Sequence, residues 1–90
     1  MNLGETLFIN HYPKIDLHGM TSDIARVMVN DFIKDNIKLK NEFIVIIHGK
    51  GNGILSSVVL ETVKKNKFVS EYALKYDNTG CMIVKLKISE

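Results

Sequence analysis

The sequence has a single cysteine in 90 residues, so no disulfide can close within the chain. Cys81 opens the apolar run Cys81-Met82-Ile83-Val84 and reads as a small buried thiol rather than a nucleophile. No segment approaches the roughly 20 apolar residues of a membrane-spanning helix. Met1 to Ile9 lacks the charged start and apolar run of a secretory signal, and a cytoplasmic protein with no membrane partner is expected. Internal repeats and low-complexity stretches are missing too. Neither sign of charge dominates: the formal net charge is +2, too small to announce nucleic-acid binding by itself. Any such case must rest on where the charges sit.

What is present is an ordinary globular balance, 46% hydrophobic and 24% charged, in a length that allows one domain at most. Residues 1–12 show no clear periodicity and read as an N-terminal arm, with the domain proper at 13–90. Lys14 to His18 alternates, with Ile15 and Leu17 on one face and Asp16 and His18 on the other, as in a short strand. Thr21 is a good helix N-cap, and Asp23 suits the positive end of the helix behind it. Ala25, Met28, Val29, Phe32 and Ile33 form one apolar helical stripe, which is expected to fray near Asn36. Phe43 to Ile47 is a continuous apolar run, the mark of a strand inside a sheet and usually of a parallel one. Leu55, Val58, Val59, Thr62 and Val63 define a second amphipathic helix, ending in Lys64, Lys65 and Lys67. Those lysines fit the negative end of the helix dipole; a nucleic-acid patch is the competing reading. Phe68–Tyr76 and Cys81–Ile88 alternate again around Asp77-Asn78-Thr79-Gly80, as in a hairpin.

The predicted order is β-α-β-α-β-β: an α/β two-layer sandwich on a mixed, mainly parallel sheet with a C-terminal hairpin. Two places exceed what such a fold requires, and both lie where a strand runs into a helix. In Asp16-Leu17-His18-Gly19, the aspartate and histidine share a strand face, where the carboxylate can fix the imidazole tautomer and stabilise its cation. A surface Asp and His flanking a core leucine would look the same. In His48-Gly49-Lys50-Gly51-Asn52-Gly53, glycines at alternate positions precede a helix N-terminus, where amides and the dipole attract anions. A plain tight β-to-α turn is the competing reading. The order is neither that of a Walker loop nor Gly-x-Gly-x-x-Gly.

If the first two strands are neighbours, both motifs meet at the carboxyl edge of the sheet, where ligands collect in open α/β folds. Two histidines beside a phosphate cradle can divide general base and general acid between them in phosphodiester cleavage. One carboxylate and two histidines could also ligate a divalent ion, although Mg²⁺ sites rely on more oxygen ligands. No metal site is expected and no cofactor is required, Mg²⁺ being the conceivable one. His11 reads as exposed. Tyr12, Tyr72 and Tyr76 could stack on bases, with half-buried strand positions as the simpler explanation.

Ile15-Asp16-Leu17-His18-Gly19 resembles the Leu-Asp-Leu-His-Gly motif of Smr (small MutS-related) domains. His48-Gly49-Lys50-Gly51-Asn52-Gly53 is similar to their His-Gly-x-Gly-x-Gly motif, and Asn78, Gly80 and Ile83-Val84-Lys85-Leu86 to their closing segment. Cys81 and Met82 differ from the small residue and threonine often found there. The likeness spans roughly residues 13–88. It implies a sandwich like the C-terminal domain of bacterial translation initiation factor three, DNA nicking or endonucleolytic RNA cleavage, and a connection to stalled ribosomes. Carried over, it implies Asp16, His18 and His48 as catalytic candidates, and Gly49, Lys50, Gly51, Asn52 and Gly53 as nucleic-acid contacts. The expected activity is that of an endonuclease on RNA or DNA. A binding module for branched DNA, structured RNA or the ribosome is the alternative, and an enzyme for a phosphorylated metabolite a third class. Oligomeric state is not legible.

Overall fold

A computed structural model describes residues 11–51, 53–74 and 80–88. Most of the N-terminal arm, Asn52 of the glycine motif and the turn Asp77-Asn78-Thr79 lie outside the described residues. The elements follow in the order β1 (Lys14–Asp16), α1 (Ser22–Lys38), β2 (Phe43–Ile47), α2 (Ile54–Lys65), β3 (Val69–Leu74) and β4 (Cys81–Leu86). The four strands form one sheet in the order β1-β2-β4-β3.

β1 and β2 are parallel neighbours, with Ile15 opposite Ile46 and Asp16 opposite Ile47. β4 runs antiparallel to β2 and to β3. The sheet is mixed, as expected, but not mainly parallel: β1–β2 is the one parallel pairing among the described strands, because β4 lies between β2 and β3, which the strand-helix-strand reading of the second unit did not anticipate. Burial explains the insertion. β4 is apolar except at Lys85, with Cys81, Met82, Ile83, Val84 and Leu86 all buried. β3 carries Ser70, Glu71 and Tyr72 to the solvent and tolerates an edge. Placing the more apolar strand of the hairpin beside β2 removes more apolar surface from water.

The helices pack over Ile44, Ile46, Met82, Val84 and Leu86 of the sheet with Ala25, Val29, Ile33, Val58, Val59 and Val63, and Leu17 joins them. Met28 and Phe32 flank this core, half-buried, so the expected stripe of α1 is the stripe observed. The helix does not fray at Asn36. That side chain is 3% exposed, donates to the Phe32 carbonyl at 2.8 Å and accepts from Asn41 at 2.8 Å. These bonds, with Asn41 N–H donating to the Asn36 carbonyl at 2.9 Å, carry α1 to Lys38. Val45 and Ile83, paired on the opposite face of the sheet, are buried as well. Among the described residues, no helix is long and apolar enough to cross a membrane.

Candidate functional site

Since β1 and β2 are parallel neighbours, their carboxyl ends open on the same edge, and each leads within a few residues into a helix. Between the two junctions lies a cleft of about 480 Å³. His18, Gly19, Met20 and Ser22 line it from the first junction, and His48, Gly49, Lys50, Gly51, Ile54 and Leu55 from the second. The two motifs therefore meet as the sequence suggested.

At the first junction the strand alternation sends Asp16 and His18 to the same side. His18 Nδ1 lies 2.6 Å from Asp16 Oδ1, and the His18 backbone N–H donates to the same oxygen at 3.1 Å. The carboxylate thus holds its neighbour at both ring and main chain, and it fixes the tautomer with the proton on Nδ1. The ring edge bearing Nε2 faces away from this pair, and the His18 side chain is 73% exposed. The hydrogen bond from Asp16 raises the His18 pKa above 6.5, with the carboxylate's charge adding to it. The same bond lowers the Asp16 pKa below 3.8. His18 is therefore protonated over a wider range than a free imidazole.

The second junction is built differently. His48 continues the face of Ile44 and Ile46, which lies under the helices, and is 4% exposed. Its Nδ1 donates to the carbonyl of Gly49 at 2.8 Å. Its Nε2 is buried without a hydrogen-bond partner among the described residues. Gly80, just before β4, accepts from the amides of His48 at 2.8 Å and Gly49 at 3.0 Å. The Gly49 amide, expected to contact nucleic acid, is thereby committed to the protein. Among the described residues no acceptor is found for the amides of Lys50 and Gly51, and Lys50 is exposed. Gly49 is required twice over. Its φ is +78°, and a Cβ there would stand 3.2 Å from the Cβ of His18, so the loop and the histidine are in direct apposition. Gly53 at φ +86° caps α2 with no side-chain hydrogen bond.

The structure brings together Asp16, His18, His48, Gly49, Lys50 and Gly51, with His18 exposed at the cleft and His48 buried in its wall. Sequence reasoning did not name Gly19, Met20, Ser22, Ile54 or Leu55 as site residues. Each lies within a turn of a motif, and Ser22 and Ile54 are the first residues of their helices, a position that could have marked them. Tyr12 stacks on Phe43, with ring centroids 5.2 Å apart, away from the lining of this cleft. Lys65 is ion-paired with Glu61 at 3.3 Å on the far end of α2. Among the described residues no three His, Cys, Asp or Glu side chains are grouped to hold a metal ion.

The Smr domain family model matches residues 15–87. Endonuclease MutS2 of Caldanaerobacter subterraneus subsp. tengcongensis is 32% identical over 83 residues, spanning 86% of this chain and 10% of that protein. Endonuclease MutS2 of Thermotoga maritima is 36% identical over 78 residues, spanning 83% of this chain and 10% of the relative. The chain thus covers about a tenth of the length of these curated relatives. The crystal structure of the Smr domain of Thermus thermophilus MutS2 superposes with a TM-score of 0.80 at 26% identity, covering 82% of this chain and 96% of that one. YdaL, a stand-alone small MutS-related protein from Escherichia coli, gives a TM-score of 0.79 at 25% identity, over 84% and 67% of the two chains.

Proposed function

Because this chain belongs to the Smr domain family, we propose that it binds nucleic acid in the cleft between its two β-to-α junctions and cleaves RNA there. The observation that carries the reading is the exposed His18 imidazole, held by Asp16 at 2.6 Å directly against the glycine loop. Relatives named as endonucleases support the reaction class. The messenger RNA of a stalled ribosome is the substrate that the family resemblance suggests.

In this reading the scissile phosphate rests against the Lys50 side chain and the amides of Lys50 and Gly51, just before α2, where the helix dipole favours an anion. His18 enters as the imidazolium, the form that Asp16 stabilises. The ribose 2′-oxygen attacks phosphorus and loses its proton to solvent, the phosphorus–O5′ bond breaks, and His18 Nε2–H protonates the departing 5′-oxygen. The products are a 2′,3′-cyclic phosphate and a 5′-hydroxyl. Asp16 positions the ring. His48, buried and bonded to the Gly49 carbonyl, holds the loop in register rather than meeting the substrate. No step requires a metal or cofactor.

The test is cleavage of an end-labelled RNA and of a supercoiled plasmid, each with Mg²⁺ or with EDTA, by wild type and His18→Ala. RNA cleavage that survives EDTA, leaves cyclic phosphate ends and disappears in the variant is the expected result. Nicking of the plasmid dependent on Mg²⁺ would replace the mechanism by a metal-assisted one. Binding of nucleic acid with no cleavage of either substrate would make the domain a binding module.

A further inference from the structure

The cleft is more than a phosphate cradle. Beside His18, Gly49, Lys50 and Gly51, its wall contains three large apolar side chains, Met20, Ile54 and Leu55. Ile54 is the first residue of α2 and is 59% exposed, although the core offers apolar cover about one turn further along the helix, at Val58 and Val59. Met20 and Leu55 are half-buried beside the same space. A site that handled only the sugar-phosphate backbone would have no use for this surface, and leaving a β-branched aliphatic group in water costs free energy that any polar residue would avoid.

Resting on the cleavage reading above, we propose that Met20, Ile54 and Leu55 form a nucleobase subsite, so that the cleft takes one unstacked nucleotide of single-stranded nucleic acid, base on the apolar wall and phosphate on the glycine loop. The volume of about 480 Å³ lies within the roughly 300–1,000 Å³ of small-molecule sites. A base buried in a duplex cannot present its face to Ile54. An unpaired one can, because every base has an apolar face and sequence-tolerant stacking is how single strands are held. Ile54 suits the task through its stiffness at χ1, which gives the base a fixed plate to lie on. The polar and apolar parts of one continuous cleft then match the two chemically distinct parts of one nucleotide.

Fluorescence anisotropy would test this with a labelled single-stranded RNA 12-mer and a series in which one abasic residue is moved through the strand. One position should weaken wild-type binding about tenfold when its base is removed, the low end of what a stacked base contributes. Ile54→Ser should lose the same factor on intact RNA and lose nothing more on the abasic strand. Ile54→Phe, with a larger face, should tighten binding to intact RNA. Circular dichroism melts should match wild type, since the side chain lies outside the core. Equal affinity of wild type and Ile54→Ser for intact RNA, or an abasic penalty that persists undiminished in Ile54→Ser, would overturn the subsite while leaving the phosphate cradle standing. Failure of wild type to bind RNA at all would remove the cleavage reading and this inference with it.

Discussion

The two β-to-α junctions occupy the same topological place, at the carboxyl ends of adjacent parallel strands, and each carries a histidine just after the strand. They use it in opposite ways. At the first junction the strand's exposed face runs on into the loop, so Asp16 and His18 stand in solvent, paired through a 2.6 Å hydrogen bond. At the second, the core-facing register runs on, so His48 is folded under the helices at 4% exposure with a carbonyl of its own loop as partner. One junction presents an imidazole, the other the backbone of the glycine loop with the Lys50 side chain. The chemistry of a cleavage site needs both, a titratable group and a phosphate cradle, and the fold supplies one from each strand end.

The most severe break of this contrast is to remove each histidine in turn. His18→Ala should lower single-turnover RNA cleavage by about 10²–10⁴-fold, the usual worth of a positioned proton donor. Its melting temperature should barely change, because the ring packs against little. His48→Asn should do the reverse. Asparagine Nδ2 can replace Nδ1 as donor to Gly49, so cleavage per folded molecule should be largely retained, while the lost ring volume costs about 1–2 kcal/mol in a urea melt. A hundredfold loss of cleavage in a folded His48→Asn would restore the arrangement in which both histidines transfer protons.

Gly49→Ala attacks the point where the junctions touch. A left-handed alanine costs roughly 1–2 kcal/mol, and its Cβ would also press on the Cβ of His18, 3.2 Å away. The expected result is a lower melting temperature together with impaired cleavage, since the strain falls on the His18 imidazole proposed to donate the proton. Full activity in a destabilised Gly49→Ala would show that His18 does not depend on the loop for its position.

Asp16→Asn sharpens the first junction alone. The native His18 pKa is raised by its bond to Asp16, so cleavage that needs the imidazolium should be present at low pH and fall as pH rises through that raised value. Without the carboxylate the imidazole loses its main stabiliser, and the fall should move to lower pH, toward 6.5. The pH–rate profile and a titration of the His18 ring by NMR both report it, and an unshifted profile would remove His18 as the titrating group.

Much of this contrast was legible before the fold was known, and the remainder has a physical reason for being hidden. Element order followed from apolar periodicity, and Thr21 stands at the N-cap as read. The Asp16–His18 pair followed from the period of two. The burial of His48 was overlooked although the same period encodes it: Ile15 and Leu17 lie on the core face and set His18 outside, whereas Ile44 and Ile46 set His48 inside. The place of β4 was harder to foresee. Hairpin partners are adjacent in sequence, but which of them reaches β2 depends on non-local burial, and that is decided by comparing Cys81–Val84 with the polar Ser70 and Glu71. The apolar wall of the cleft was invisible because Met20 and Ile54 look like ordinary core residues until their exposure is seen.

The gentlest distinction between the junctions is how each starts its helix. Thr21 caps α1 through its hydroxyl, which accepts from the Ile24 amide at 3.4 Å, whereas Gly53 caps α2 with no side-chain bond. At that length the Thr21 bond is weak, so Thr21→Ala should cost only about 0.5 kcal/mol, the lower bound for a lost cap. Nucleic-acid affinity should be unchanged, because Thr21 is not among the cleft-lining residues. Gly53→Ala, by contrast, forces a left-handed alanine at φ +86° beside the cradle and should cost about 1–2 kcal/mol. It should also weaken anion binding as the first turn of α2 shifts. Urea melts paired with anisotropy titrations would separate the two. If Thr21→Ala loosened nucleic acid as much as Gly53→Ala, the start of α1 would share in holding the phosphate, and the division of labour between the junctions would be less complete than their burial suggests.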